Sequence, residues 1–279
     1  MTATSNFTLE YALLSHPGQV RPLNEDALGA RPDLGLFVLC DGLGGYNAGE
    51  IAATMAVSSL LSGLADDYSM AQAAGEEFDA GRALAQRMID MNAVIARAAA
   101  NSTAFEGMAT TVVAAWIIGD RLWVAHAGDS RLYRFREGVL EGLTRDHSFS
   151  QELLDAGMVT EEEAKVLPAK NLVTRALGAA GEVEPEVNDF PLRIGDVLML
   201  CSDGLTEMVD DMQIAGAIFA SVPDVQRAAQ RLVELANAAG GRDNVSVIVV
   251  RLAGRRGLEP RRGPGRRRPP EPGLPEAGS

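Results

Sequence analysis

Short apolar runs, several rich in β-branched side chains and bounded by Gly or Asp, recur at Thr8 to Ser15, Leu34 to Cys40, Thr111 to Ile118, Leu122 to Ala127, Arg131 to Phe135, Val197 to Cys201 and Val245 to Leu252. Side chains of this shape pack well on a pleated surface, so these segments predict strands. Three other stretches, Gly49 to Leu64, Gly81 to Ala100 and Val222 to Ala239, repeat apolar residues at three and four positions, as in Leu84, Met88, Met91 and Ile95. That period predicts amphipathic helices. Gly119-Asp120 reads as a hairpin turn. Several strands follow one another across short connections, so the sheets are expected to be largely antiparallel with helices packed outside, an α+β sandwich. Between Thr144 and Gly178 the periodicity weakens. Ser148 to Ala156 and Thr160 to Val166 predict two short helices, the second broken by Leu167-Pro168, and the segment reads as a small mobile subdomain or flap.

Past Leu252 the pattern ends. Gly and Pro make up 12 of the last 27 residues, interleaved with Arg, and residues 253–279 are expected to form a disordered tail. The remaining body, 1–252, is long enough to bury one sizeable core without disulfide or metal staples. Two cysteines, Cys40 and Cys201, cannot form a disulfide framework and imply a reducing compartment, hence the cytoplasm. Strand alternation sets Cys40 opposite Asp41 and Cys201 on the face of Asp203, against a mutual disulfide. The N-terminus lacks the basic and apolar regions of a signal peptide. No run of about 18 apolar residues predicts a membrane span.

Charge sharpens the picture. The net charge is −13, yet the last 27 residues hold seven Arg and three Glu, leaving 18 basic against 35 acidic groups in residues 1–252. A body near −17 repels phosphate backbones, which argues against nucleic acid and makes divalent cations the natural complement.

Three apolar strands run straight into an Asp: Leu36 to Asp41, Leu122 to Asp129 and Leu198 to Asp203. A fourth, Asp243, precedes the last strand. Asp-Gly turn chemistry accounts for any one of these alone. However, no Lys or Arg occurs from Pro32 to Gly81, against eight acidic residues, nor from Ile194 to Gln226, against six. Carboxylates at the mouths of apolar strands are costly without a counter-charge, and oxygen-only donors favour Mg²⁺ or Mn²⁺. The three histidines, His16, His126 and His147, show no zinc-type spacing with the cysteines. Arg21, just ahead of Glu25 and Asp26, is either a planar fork for phosphate or the partner of its acidic neighbours. Gly42-Leu43-Gly44-Gly45 lacks the Lys and Ser/Thr of a nucleotide loop and suits close backbone approach to a metal.

In chain order, GQVRPLNEDA, FVLCDGLGGYNAGE, GMATTVV, VAHAGDSRLYRF, LTRDHS, NLVTRALG, LMLCSDGL and GGRDNVSVIVV resemble the bacterial PPM-type (PP2C-like) metal-dependent protein serine/threonine phosphatases. The resemblance implies a four-layer sandwich of two antiparallel β-sheets flanked by α-helices, with a catalytic domain over 1–252 and a metal centre at one edge. It implies Asp41 and Asp203 as metal ligands, Asp41 bridging two ions, with the Gly42 carbonyl on one. Asp243 would complete the second site and Glu25 would hold metal-bound waters. Asp129 with Asp203 would hold a third, weaker Mn²⁺ or Mg²⁺ ion, and Arg21 would bind phosphate. The implied reaction is attack on phosphorus by a hydroxide held between two ions. Phosphoserine and phosphothreonine proteins, the targets of a bacterial Ser/Thr kinase, would be the substrates.

Two positions depart from the pattern. His16 stands where many members have Asp, and this Ser-His-Pro-Gly variant looks closer to a branch associated with type VI secretion. Leu43 stands where eukaryotic members carry a His, leaving the general acid unassigned; a metal-bound water can serve. His126 and His147 read as packed, hydrogen-bonded core residues. A catalytically weak, phosphoprotein-binding regulatory relative would have lost metal carboxylates, but Glu25, Asp41, Asp203 and Asp243 are all present. A nucleotide hydrolase would gather basic residues around the glycine run, and none are there.

Overall fold

The computed structural model describes residues 7–45, 47–168, 171–179 and 181–254. Strand β1 (Phe7–His16) leads into the hairpin of β2 (Asp26–Arg31) and β3 (Leu36–Leu43), followed by the long helices α1 (Ala48–Ala74) and α2 (Ala80–Ala100). A run of strands follows: β4 (Ala109–Thr110), β5 (Val112–Ile118), β6 (Arg121–Ala127), β7 (Arg131–Arg136) and β8 (Val139–Gly142). Helices α3 (Phe149–Asp155) and α4 (Glu161–Lys165) precede β9 (Glu186–Pro191) and β10 (Val197–Cys201). The last elements are α5 (Asp203–Thr206), α6 (Asp211–Ser221), α7 (Val225–Ala238) and β11 (Val245–Gly254).

Two sheets form, in the orders β1-β11-β10-β7-β8 and β2-β3-β5-β6-β9, with β4 on β3. All pairings between these strands are antiparallel. Alternation along each strand sorts side chains into three cores. Phe37 and Leu39 of β3 meet Leu198 and Leu200 of β10 and Ile248 and Val250 of β11 in the seam between the sheets. Leu36, Val38 and Cys40 face the other way, against α1 and α2. Val197, Met199 and Cys201 pack on α6 and α7. The result is the expected helix–sheet–sheet–helix sandwich. By length and composition α1 could cross a bilayer, but 56% of its most apolar window is buried, packed on β2 and β3. It is a core helix.

The predicted strands and the Gly119 turn are present, whereas β2, β8 and β9 were not foreseen. None of these three strands is fully buried, so their sequences carry little apolar signal. Helix α6 was also missed, although Asp210 and Gln213 form a capping box at its start. The helix predicted from Val222 begins at Val225, where the Asp224 side chain accepts from the Arg227 amide. Cys40 and Cys201 are buried and free, in different cores. Cys201 does not share the face of Asp203: the strand ends at Cys201 and Asp203 opens α5, so alternation stops between them. At the C-terminus β11 continues through Ala253, which is buried, to Gly254. The body therefore extends past 252, and residues 255–279 of the expected tail lie outside the described residues.

Candidate active site

At one end the inter-sheet seam changes from apolar to acidic. Asp41 is two residues beyond Leu39 on β3, so the alternation that buries Phe37 and Leu39 carries its carboxylate to the mouth of the seam. Asp26 of β2 is its register partner. Ser202, at the end of β10, donates its hydroxyl to Asp26 Oδ2 at 2.9 Å and accepts from the Ser246 amide at 3.0 Å. The Asp41 amide donates to Thr111 Oγ1 at 3.0 Å, and the Asp41 carbonyl accepts from the Thr110 hydroxyl and the Thr111 amide.

Asp243 enters from the turn before β11. Asn244 beside it staples the N-terminal loop: its Nδ2 donates to the carbonyls of Pro17 and Leu23 at 3.0 and 2.8 Å, and its Oδ1 accepts from the Glu25 amide at 2.8 Å. Gly18, at φ +81°, lies against this turn, where a Cβ would stand 2.2 Å from the Asp243 carbonyl oxygen. His16 supports that approach by accepting the Gly18 amide on Nδ1 at 3.0 Å. Gly42 is required for a different contact. An added Cβ would meet the Gly49 carbonyl at 2.3 Å and the Glu25 carbonyl oxygen at 2.6 Å, so the glycine lets the first turn of α1 close on β3.

These elements bring all seven sequence candidates, Arg21, Glu25, Asp41, Gly42, Asp129, Asp203 and Asp243, onto one cavity of about 290 Å³. Asn171, Glu207 and Asn244 also line it and were not anticipated. Asn171 donates to Glu207, joining the segment after α4 to α5. A second cavity, about 540 Å³, shares Asp129, Asn171, Asp203 and Glu207 and runs between α3, α4 and the start of α6. The weakly patterned segment thus forms a wall of the cleft.

Burial, reinforced by the other carboxylates, holds Asp41 and Asp203 well above the usual carboxylate range. For Asp41 the neighbours are Asp26, Asp203, Asp129 and Asp243; for Asp203 they include Asp129, Glu207 and Asp243. Burial and then Asp146 raise Asp129 to about 7. Asp26 is raised to about 6 by burial, opposed by hydrogen bonds from Ser246 and Ser202. Glu25 is also raised by burial, with Arg21 opposing. Among the described residues, Glu25 Oε1 and Asp26 Oδ1 are buried without a hydrogen-bond partner. Arg21 does not pair with its acidic sequence neighbours; its Nη2 donates to Asp243 Oδ2 at 2.7 Å, and half of its side chain is exposed. Asp243 therefore has a basic partner that charge balance along the chain had not suggested. The other acids have oxygen donors, crowding and orphaned buried atoms, an arrangement that fits hard divalent cations.

A second cluster gathers His126, His147 and Glu186. Its histidine rings are stacked, with centroids 4.5 Å apart and planes within 4°. Imidazole lone pairs lie in the ring plane, so two parallel rings cannot both aim at one ion. His126 Nε2 donates to the Arg145 carbonyl at 2.8 Å and His147 Nδ1 accepts the Gly128 amide at 3.2 Å. Both rings are buried, as expected of packed core histidines.

A family model described as "Protein phosphatase 2C" matches residues 19–240. The chain is similar to the serine/threonine protein phosphatase PstP of Mycobacterium tuberculosis, 40% identical over 249 residues, covering 88% of this chain and 46% of that protein. It thus spans about half the length of the mycobacterial relatives it matches. Similarity to the serine/threonine phosphatase stp of Listeria monocytogenes is 35% over 236 residues, covering 84% of this chain and 92% of the relative. A crystal structure of the catalytic domain of PstP in complex with two manganese ions superposes with a TM-score of 0.76 at 38% identity, covering 88% of this chain and 99% of that one. PppA of Pseudomonas aeruginosa, described as a key regulatory component of T6SS, superposes at 0.74 with 32% identity, covering 88% and 98%.

Proposed function

The chain belongs to the protein phosphatase 2C family, and we propose that it hydrolyses phosphoserine and phosphothreonine in proteins, reversing a Ser/Thr kinase. The observation that carries this reading is the convergence of Glu25, Asp41, Asp129, Asp203 and Asp243 on one cavity with Arg21 at its rim. A phosphoprotein-binding module without catalysis has no use for that convergence.

Asp41, Asp203, Asp243 and the Gly42 carbonyl would hold two Mn²⁺ or Mg²⁺ ions, with Glu25 orienting their waters and Asp129 with Asp203 serving a weaker third position. When bound, such ions supply positive charge to phosphoryl oxygens and lower the pKa of water toward neutrality. The chain's own residues do the rest. Arg21 keeps Nη2 on Asp243 while its exposed side chain reaches the cleft, so the fork that anchors Asp243 can also receive phosphate. Asp26, behind Asp41 and tied to Ser202, fixes the back of the carboxylate cluster. Leu43, which lines the cavity, has no proton to donate and cannot serve as general acid to the leaving group. Two buried free thiols support a cytoplasmic setting.

Phosphate release from a phosphothreonine peptide, measured after chelation and again with Mn²⁺, tests the reading. Turnover only with the ion is expected, and turnover unaffected by chelation would overturn it. A second reading, a role beside a type VI secretion apparatus, is supported by the likeness to PppA and by the Ser15-His16-Pro17-Gly18 turn. Pull-down of secretion components from a host that encodes them, absent for an N-terminal loop variant, would test it.

A further inference from the structure

We propose that His147 is a positioning residue for Asp129, and that through it the segment carrying α3 and α4 is mechanically coupled to the carboxylate centre. The proposal rests on the reading of Asp129 as part of that centre. His147 grips Gly128, the residue before Asp129, from both sides. Its amide donates to the Gly128 carbonyl at 3.0 Å, and its Nδ1 accepts the Gly128 amide at 3.2 Å. Gly128 sits at φ +118°, and a Cβ there would stand 2.6 Å from Thr111 Cβ. The turn therefore has no slack against Thr111, between β4 and β5, and Asp129 is delivered buried, at 8% exposure, into the wall of both cavities.

Thr111 is a shared support. Its hydroxyl accepts from the Asp41 amide and bonds the Ser130 hydroxyl at 2.8 Å, so the same residue braces Asp41 and the turn holding Asp129. From the other direction, the His147 carbonyl accepts from the Thr174 amide at 2.9 Å, and Ser148 bridges Val173. Both ends of the segment that walls the larger cavity thus meet at His147. Its ring has one useful tautomer. A neutral imidazole accepts at one nitrogen only: with Nδ1 taking the Gly128 amide the proton sits on Nε2, 3.6 Å from Glu186 Oε2, and the 3.4 Å approach of the donor-only Arg175 Nη1 to Nε2 is then a contact and not a hydrogen bond. His126, stacked on it and anchored to the Arg145 carbonyl, holds the ring plane. A displacement of the segment that moves His147 must therefore move Gly128, and with it the carboxylate one residue on.

The test uses the full chain and compares His147→Asn with His147→Gln. Asn can place an acceptor where Nδ1 was, whereas Gln extends to the position of Nε2 and leaves the Gly128 amide bare. Amide hydrogen exchange should show Gly128 protected in the wild type and in His147→Asn, and about 10-fold less protected in His147→Gln, the loss of one hydrogen bond. The Mn²⁺ concentration for half-maximal turnover of a phosphothreonine peptide should rise about 10-fold in His147→Gln and stay within about twofold in His147→Asn. Exchange of the wild-type Gly128 amide at the rate of an exposed loop would overturn the proposal without any variant having to fold. So would identical behaviour of the two variants. If the wild type hydrolysed no phosphopeptide while the exchange split held, the phosphatase reading would fall and the His147 bracket would stand.

Discussion

Strand β10 is flanked by two aspartates with opposite surroundings. Asp196, just before Val197, is 1% exposed and fully satisfied. Arg136 reaches it with two bonds, Nε to Oδ1 at 2.6 Å and Nη2 to Oδ2 at 2.7 Å, and the Arg193 amide adds a third at 2.8 Å. Asp203, two residues past Cys201, faces Asp129, Glu207 and Asp243. Burial alone does not mark a functional carboxylate, because Asp196 is the more buried of the two. The missing counter-charge does. A paired carboxylate ties neighbouring strands of one sheet, whereas crowded acids at the mouth of the seam are left without a counter-charge, the environment the proposed cations would complete.

Removing each acid should separate these roles. The largest effect is expected for Asp203→Asn, which should lower phosphopeptide turnover about 1,000-fold, the scale of several kcal/mol of lost cation stabilisation. Its fold should persist, because one source of repulsion in the cluster is gone; near-wild-type kcat at saturating Mn²⁺ would erase the contrast. Asp196→Asn should do the reverse. It leaves the Arg136 guanidinium without its charge partner at the far end of the strand and should cost about 3 kcal/mol in denaturant unfolding. Its kcat per folded molecule should be unchanged.

Arg21 links the two classes of carboxylate, since it is a structural partner of Asp243 placed at the reaction cleft. Arg21→Ala should reduce kcat/KM by about 10- to 200-fold, the loss of charge-assisted hydrogen bonds worth about 1.5 to 3 kcal/mol. Arg21→Lys should recover part of this, because an ammonium cannot form the planar fork. If Arg21→Ala weakened Mn²⁺ binding and spared kcat/KM, the residue would belong with Arg136 as a purely structural partner.

The smallest predicted effect is a pH dependence of the metal-free protein. Asp129 and Asp26, near 7 and 6 in the fold, lie above the ordinary carboxylate value, so the folded state binds more protons than the unfolded one between about pH 4 and 7. Stability contributed by their protonated forms is present at low pH and is lost as pH rises through that window. The melting temperature should fall by on the order of 5 to 10 °C from pH 4.5 to 7.5 after chelation. Mn²⁺ at pH 7.5 should restore it. A chelated protein that melts at the same temperature across the window would mean that the acids are not crowded when the site is empty.

Much of the molecule was legible in its sequence because the cue and its consequence are local. Alternation in Leu36 to Asp41 sends Leu39 into the seam and therefore Asp41 to its mouth, and the spacing of Leu84, Met88, Met91 and Ile95 makes one buried stripe on α2. The motifs around Arg21, Asp129, Asp203 and Asp243 were likewise readable as candidates, and tertiary structure places them on one cavity. Charge balance was a less reliable guide. The stretch from Ile194 to Gln226 contains both Asp196 and Asp203 and no basic residue, yet Arg136, 60 positions away, neutralises only the first. Nor could the sequence show that Arg21 would meet Asp243, 222 residues on, instead of the adjacent Glu25. Hydrophobic periodicity is written within a few residues and survives in the linear order. The charge around a buried carboxylate is set by whatever side chains the packed sheets bring within a few ångströms, and only the tertiary structure decides which acid receives an arginine and which is left to the cations.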